Sequence, residues 1–191
     1  MAGRQAKILA PISLKRMLEE ADQHSCPARS RVIILLSAKA GLRAGEIAGL
    51  EWQMVLNPDG SISDSIAIED RIAKKRSGRR IPMHHELHDA LTDLYNLVEE
   101  EGPVILSQRG GHMTANSIVN WFVKFFRDLE LDGCSSHSGR RTFVTRAAKL
   151  THKAGASLHD VQLLVGHRSL DTTQAYIQGD TEAQRRLVAL I

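Results

Sequence analysis

The sequence predicts a mainly helical α+β domain with one small antiparallel sheet. Most of the 191 residues lie in segments whose apolar side chains recur at helical spacing, and only the region from about 51 to 83 alternates as strands do. A hydrophobic fraction of 42% and a charged fraction of 25% are ordinary for a globular domain with a buried core. No segment has the composition of a linker, so we expect a single domain over residues 1–191.

Three helices are expected before the sheet. Ser13 can cap a helix that runs to about Asp22, because a serine hydroxyl can accept a hydrogen bond from a backbone N–H of the first turn. A second helix, 28–40, should end at Gly41, since glycine readily adopts the left-handed conformation that closes a helix. A short third helix should cover 43–50.

The expected sheet has three antiparallel strands. The segments "EWQMV" (51–55) and "SIAIEDRIA" (65–73) alternate in polarity, and "NPDGS" between them has the composition of a turn. "RSGR" (76–79) should form a second turn that leads into "RRIPM" (79–83). The last two strands would therefore form a hairpin with a basic tip.

The rest of the chain should be helical. Apolar spacing and capping residues predict helices over 84–100, 114–129, 138–152 and 157–166, followed by a short helix that carries Tyr176. Thr181 and Gln184 form a capping-box pattern, so we also expect a tail helix over 180–191 with an apolar end, "LVALI".

The charge distribution favours an anionic partner. Net charge is only +3, but "KKRSGRR" (74–80) holds five basic residues and "RRTFVTRAAKLTHK" (140–153) holds five more. Clustering of this kind is typical of proteins that bind nucleic acid, although a solvated face would explain one cluster alone. No apolar run is long enough for a membrane span, and Cys26 and Cys134 lack metal-type spacing. We expect a cytoplasmic protein with reduced thiols and no membrane partner.

Four stretches carry the candidate chemistry. They are "AGLRAGEIAGL" (40–50), "IAKKRSGRRIP" (72–82), "HSGRRTF" (137–143) and "GHRSLDTTQAY" (166–176). Each is weak alone, but in this order they resemble the tyrosine recombinase family, also called phage-type integrases. The resemblance covers roughly residues 30–178. It implies the fold of DNA breaking-rejoining enzymes and a double-stranded DNA substrate.

The resemblance also implies a role for six residues. In the family, two arginines clamp the scissile phosphate, a lysine protonates the leaving oxygen, one histidine acts as general base, a second contacts the phosphate, and a tyrosine attacks. The matching positions, with the roles in the same order, are Arg43 and Arg140, Lys74, His137, His167 and Tyr176. The family cuts one strand to give a 3′-phosphotyrosyl link, then exchanges strands. It needs no metal or nucleotide, so no cofactor is expected.

Elementary chemistry agrees with these assignments. Negative charge gathers on the non-bridging oxygens of a phosphodiester as it is attacked, and guanidinium groups can bind those oxygens through paired hydrogen bonds. A phenol has a pKa of ~10, so Tyr176 would need a base or electrostatic help near pH 7. A structural alternative for Arg43 is an ion pair with Glu46, three residues on. Tyr95, the other tyrosine, lies among leucines and is expected to pack.

The lysine assignment depends on the register of the hairpin. Counting back eight residues from Pro82, as the family frame does, reaches Lys74, whereas Lys75 would point to the opposite face. The remaining basic side chains of the motifs are expected to contact DNA. These residues are Lys75, Arg76, Arg79, Arg80 and Arg141.

One pattern suggests a metal. "HHELHD" (84–89) places His84 and His88 four residues apart, a spacing that can bind zinc, but no third ligand is evident. We expect an exposed helix start there and no metal.

The sequence departs from the family pattern in two ways. Only 42 residues precede Arg43, so the helical DNA-binding domain that usually comes first is expected to be absent. The chain would then be either a catalytic fragment or a naturally short recombinase. Gly139 replaces the usual leucine and would let a helix or DNA backbone approach closely.

The expected function is site-specific recombination, with two alternatives. The first is relaxation of DNA by a type IB topoisomerase-like mechanism, and the second is a non-catalytic DNA-binding regulator. As a recombinase the protein should be a monomer in free solution and a homo-tetramer on DNA, associated with the nucleoid. In the family the segment after the tyrosine often packs on the neighbouring protomer.

Overall fold

The computed structural model describes residues 6–98, 101–107, 110–176, 185, 188 and 189, and in them we find eight helices and one two-stranded sheet. The helices are α1 (Pro11–Ala21), α2 (Pro27–Lys39), α3 (Ala44–Ala48), α4 (His85–Val98), α5 (Ala115–Asp128), α6 (Ser138–Ala154), α7 (Leu158–Val165) and α8 (Leu170–Gln174). Strands β1 (Ser65–Ile68) and β2 (Arg79–Pro82) pair antiparallel, with Ile66 opposite Ile81. The predicted class, a mainly helical α+β domain with a small sheet, is confirmed.

Helix α2 lies at the centre because apolar residues occupy all of its faces. The five consecutive residues from Val32 to Leu36 are each at most 1% exposed. A helix that is apolar all round must be covered all round, and α1, α4 and α6 pack against it. This helix ends at Lys39, two residues before Gly41, whose positive φ of 65° redirects the chain toward Arg43.

Helix α6 approaches α2 closely because Gly139 has no side chain. A Cβ atom at this position would collide with Ser37 Oγ and lie 2.9 Å from Ser37 Cβ. The prediction that Gly139 permits a close approach is therefore confirmed, and the element that approaches is a helix. The contact brings Arg140, the next residue, beside Gly41 at the end of α2.

A second, smaller apolar cluster lies between α6 and α7. Val144, Val161 and Val165 are buried in it, and Phe143 and Tyr176 are among the partly buried residues that pack against them. The segment that carries Tyr176 is thus held against α6 and α7 by apolar contact, separately from the main core.

The predicted three-stranded sheet is wrong in its first strand. Trp52–Met54 forms a turn of 3₁₀ helix, and only an isolated bridge, Leu56 with Ile62, closes the turn that follows. Trp52, Met54 and Val55 are all buried. Burial at both 54 and 55 breaks the alternation of a strand, and residues 52 and 55 share one face of a three-residue turn. The second predicted strand also stops early, at Ile68.

Several helix ends differ slightly from the prediction. Helices α1 and α2 begin at Pro11 and Pro27, each a proline in the first helical position, where its missing N–H costs nothing. Thr114 and Ser157 cap α5 and α7 as predicted, each accepting a hydrogen bond from a backbone N–H three residues on. The short helix expected to carry Tyr176 ends at Gln174, so Tyr176 follows it in a turn.

The predicted tail helix, 180–191, falls almost wholly outside the described residues, so it stays a prediction. Within the described part of the chain, no helix is both long and apolar enough to cross a membrane.

Candidate active site

One cavity of about 480 Å³ gathers five of the six residues assigned to catalysis. Its walls include Arg43, His137, Arg140, His167 and Tyr176. They come from the start of α3, the start of α6, the turn after α7 and the turn after α8. The fold therefore brings together residues that lie up to 133 positions apart in the chain.

Glu46 joins two arginines, one of which, Arg43, lines this cavity. Its carboxylate accepts hydrogen bonds from Arg43 Nη1 at 2.9 Å and from Arg79 Nη1 and Nη2 at 3.0 and 3.1 Å. The glutamate side chain is 1% exposed. Burial alone would raise the pKa of Glu46, but the hydrogen bonds and charges of Arg79 and then Arg43 outweigh it and hold the pKa below its usual value. Arg43 thus makes the structural ion pair and still lines the cavity.

Arg140 is fixed by two backbone carbonyls. Its Nη1 donates to the carbonyl of Gly41 at 2.6 Å and its Nη2 to that of Val165 at 2.7 Å. Burial, and then the positive charge of Arg43, lower the pKa of Arg140 to about 10, so it stays charged at neutral pH. A guanidinium has five N–H donors, and these two bonds leave three. Arg140 can therefore hold the end of α7 and still bind an anion.

His167 and Tyr176 stack on each other. Their ring centroids are 5.5 Å apart and their planes differ by 26°. His167 Nδ1 lies 3.0 Å from the hydroxyl oxygen of Thr173, which is fully buried in α8. If this hydroxyl donates to Nδ1, the proton of the neutral ring sits on Nε2, which is then a hydrogen-bond donor. The segment between the histidine and the tyrosine forms helix α8, which Ser169 caps.

The protonation of His167 is suppressed. Burial, followed by the positive charges of Arg140 and Arg43, lowers the pKa of His167 to about 4. The ring is therefore neutral at pH 7. In that state its Nε2–H can still donate a hydrogen bond.

Acidification is expected to destabilise the protein through His167. Its folded pKa lies below the ordinary value of 6.5, so the stabilisation is complete above pH 6.5 and is lost as pH falls toward 4. The free energy of unfolding of the wild type and of His167→Gln would be measured with urea at steps between pH 7 and 4.5. As pH falls, the wild type should lose more of this free energy than the variant does. A difference that is constant over this range would contradict the assignment.

His137 caps α6 at the rim of the cavity. It is exposed, and its backbone N–H donates to Ser135 Oγ at 3.3 Å. Because it immediately precedes α6, its ring shares the cavity wall with Arg140. Its role as general base stays a prediction.

Lys74 lies outside the walls of the cavity, on the hairpin loop (residues 69–78) between β1 and β2. It is exposed, as are Lys75, Arg76 and Arg80, so these three remain available for DNA contact as predicted. Arg80 Nη1 makes only a long hydrogen bond of 3.4 Å, to Ser65 Oγ.

Arg79 and Arg141 differ from the expected surface contacts. The Arg79 side chain is 5% exposed and donates to Glu46 and, through Nε at 2.8 Å, to the carbonyl of Leu164. Its donors are thus used inside the fold, and its predicted contact with DNA stays a prediction. Arg141 is 8% exposed and lines the cavity, where its Nε has no hydrogen-bond partner among the described residues. Its contact with DNA stays a prediction.

A possible ligand cluster lies outside the walls of this cavity, at the start of α4. His84, His85 and Glu86 offer ligand atoms within 4.8 Å of one another. Lys39 Nζ lies 3.3 Å from His84 Nε2 and 2.9 Å from Glu86 Oε1. The ammonium group thus occupies the position that a cation would take. His88, which suggested the metal spacing, is not part of the cluster.

Sequence reasoning missed two supporting residues. The sequence indicated Glu46 only as a possible ion-pair partner of Arg43, and it indicated no role for Thr173. Glu46 lies three residues after Arg43, at the start of a predicted helix. That spacing is typical of a capping box and indicated a contact between the two residues. Nothing in the sequence indicated that Arg79 would reach the same carboxylate from a strand 33 residues away.

Comparison with known proteins identifies the family. A model of the phage integrase family matches residues 7–183. The tyrosine recombinase XerC of Erythrobacter litoralis is 27% identical over 192 residues, covering 97% of this chain and 58% of that protein. XerC of Methylobacterium nodulans is 31% identical over 160 residues, covering 81% of this chain and 46% of that protein. The chain thus spans about half the length of the curated relatives it matches.

Solved structures share the fold. The Tn1549 transposon integrase in complex with a circular intermediate DNA superposes with a TM-score of 0.78 at 19% identity, covering 100% of this chain and 67% of that chain. The XerA recombinase gives a TM-score of 0.74 at 21% identity, covering 100% and 65%. With a family model that matches nearly the whole sequence, and three of the four motifs of that family assembled in one cavity, the chain belongs to the phage integrase family.

Proposed function

We propose that the protein is a site-specific DNA recombinase that cuts and rejoins strands through Tyr176. The observation that carries this proposal is the shared cavity, where a tyrosine, two arginines and two histidines from separate segments meet. The relatives named tyrosine recombinase XerC, and the recombinase XerH solved bound to its difH substrate, support it.

The charge of the cavity suits a phosphodiester. Arg43 and Arg79 bind a single carboxylate, Glu46, which also interacts electrostatically with Arg140, and His167 is neutral near pH 7. The site therefore carries excess positive charge, part of it on guanidinium groups with unused donors. An anionic phosphate would neutralise that charge and would also reverse part of the repulsion that lowers the pKa of Arg140.

The proposed step is an in-line displacement at phosphorus. The Tyr176 oxygen forms a bond to phosphorus, and the bond from phosphorus to the 5′ oxygen breaks. The phenolic proton goes to His137, and the 5′ oxygen keeps the electron pair and takes a proton from the Lys74 ammonium. Arg43, Arg140 and His167 donate to the non-bridging oxygens. Each donor aimed at developing charge can lower the barrier by roughly 2.7–4 kcal/mol, by analogy with oxyanion holes.

Exchange between two duplexes sets the proposed assembly. Two duplexes have four strands to cut, and each chain supplies one nucleophile, so four copies on paired sites would complete the reaction. We propose a homo-tetramer on double-stranded DNA and a monomer in free solution, located at the nucleoid because its substrate is there. Exposed Lys75, Arg76 and Arg80 would contact phosphates outside the cavity.

Strand exchange between separate duplexes tests this function. A duplex would first be selected from a random-sequence pool by covalent capture on the protein. Two copies of it with different end labels, incubated with the protein, should then yield strands that join both labels. Relaxation of a supercoiled plasmid carrying the site, without joined strands, would instead indicate topoisomerase-like activity. Specific binding without any adduct would indicate a non-catalytic regulator.

A further inference from the structure

Arg168 joins the turn that carries His167 to the hairpin loop that carries Lys74. Its Nη2 donates to the backbone carbonyl of Lys75 at 2.7 Å. The arginine directly follows His167 in sequence, and the carbonyl directly follows Lys74. One hydrogen bond therefore connects the residue after a phosphate-binding histidine to the residue after the candidate acid.

The part of the hairpin loop that this bond reaches has a demanding backbone. Lys75 and Arg76 have φ angles of 62° and 52°, in the left-handed region that side chains other than glycine seldom adopt. Such conformations persist where surrounding contacts hold them. Ser77 Oγ, which donates to the carbonyl of Lys74 at 3.0 Å, supplies one contact from within the loop. Arg168 supplies one from outside it.

A second arginine fixes the base of the same loop. Arg79 Nε donates to the carbonyl of Leu164, near the end of α7, and the side chain lies within 3.1 Å of where a Cβ of Gly166 would be. Arg79 therefore sets the distance from β2 to α7, whereas Arg168 acts at the tip. The loop is thus linked to α7 at its β2 end and to the His167 turn at its tip.

We propose that Arg168 is a positioning residue that holds Lys74 at the leaving 5′ oxygen, which rests on the proposed function of this site. Lys74 lies on an exposed loop outside the cavity walls, so the backbone that carries it must be placed by contacts to the site. Arg168, the residue next to His167, makes such a contact. It would affect the proton transfer to the 5′ oxygen and leave the attack by Tyr176 unchanged.

Cleavage of two matched duplexes separates these steps. In one, the scissile bond joins phosphorus to the ordinary 5′ oxygen; in the other, to a 5′ sulfur, which departs as a thiolate and needs no proton. The Lys74→Ala variant should cleave the oxygen duplex more slowly than the wild type. It should cleave the sulfur duplex at the wild-type rate. Arg168→Ala should show the same pattern more weakly, with an oxygen-duplex rate about tenfold lower, as expected for loss of one hydrogen bond from a charged donor.

Two further variants complete the test. Arg168→Lys, which keeps a charged donor, should recover part of the oxygen-duplex rate. Arg80→Ala removes one exposed charge from the same hairpin, so it should weaken DNA binding and leave the ratio of the two cleavage rates unchanged. Cleavage rates would be measured at saturating protein concentration, so that weaker DNA binding does not lower the measured rate.

The outcomes distinguish this inference from the function on which it rests. Equal slowing of both duplexes by Arg168→Ala, or an effect on affinity alone, would overturn the role of Arg168 while leaving the recombinase intact. If Lys74→Ala cleaves both duplexes equally slowly, Lys74 is not the acid and the inference fails with that assignment. If the wild type forms no adduct with either duplex, the proposed function itself fails.

Discussion

Tyr176→Phe is expected to fold and to bind DNA but to form no covalent adduct. The substitution removes only the hydroxyl, so the ring keeps its stacking on His167 and its packing against the valine cluster of α6 and α7. In other enzymes, removal of the catalytic nucleophile lowers the rate on the order of 10⁶-fold, so cleavage should fall below detection. Denaturing gels of the protein with a selected, nicked duplex would show the loss of the adduct.

Tyr95→Phe is the matched control. Tyr95 packs against Trp52, with ring centroids 4.8 Å apart, and takes no part in the cavity. This variant should form the adduct at the rate of the wild type. An adduct that persisted in Tyr176→Phe and disappeared in Tyr95→Phe would reverse the assignment.

Glu46→Ala is expected to destabilise the fold by about 3–5 kcal/mol, the usual cost of leaving one charge of a buried pair without its partner. Arg79, whose side chain is 5% exposed, would lose both of its hydrogen bonds to the carboxylate. Arg43 would lose its ion pair as well, so cleavage should slow even where the variant remains folded. Urea unfolding would measure the free energy of unfolding. The variant should unfold at a lower midpoint concentration of urea, with an unchanged dependence of that free energy on urea.

An exposed ion pair provides the contrast. Glu19 lies 3.6 Å from Lys15 on α1, and its side chain is 61% exposed. Glu19→Ala should cost between zero and about 1 kcal/mol, because water already screens that pair. If both glutamate variants lost the same stability, the burial of Glu46 would not be what makes it important.

Local sequence patterns were sufficient for most of the fold. The helical spacing of apolar residues and the caps at Thr114 and Ser157 depend on near neighbours, and the structure confirms them. The segment "EWQMV" places Trp52 and Met54 at alternate positions, as a strand would, whereas in the 3₁₀ turn that forms it is residues 52 and 55 that share one face. Burial of Val55 decides between them, and burial is set by the packing of distant segments.

The site was predictable to the extent that motifs mark it. The resemblance to the tyrosine recombinase motifs assigned Arg140 and Tyr176, and the cavity brings them together. Arg79 and Arg168 could not be assigned in the same way. Each donates to a backbone carbonyl more than 80 positions away, and a carbonyl acceptor leaves no trace in the sequence. Basic residues that support a site internally therefore resemble those that bind DNA at the surface.

The most direct test of the account is the chemical identity of the covalent link. The protein would be trapped on a nicked duplex selected as above, digested with protease, and the nucleotide-bearing peptide sequenced by tandem mass spectrometry. The account predicts a 3′-phosphate joined to Tyr176, together with a free 5′ hydroxyl on the released strand. A link through any other residue, or one to a 5′-phosphate, would contradict it.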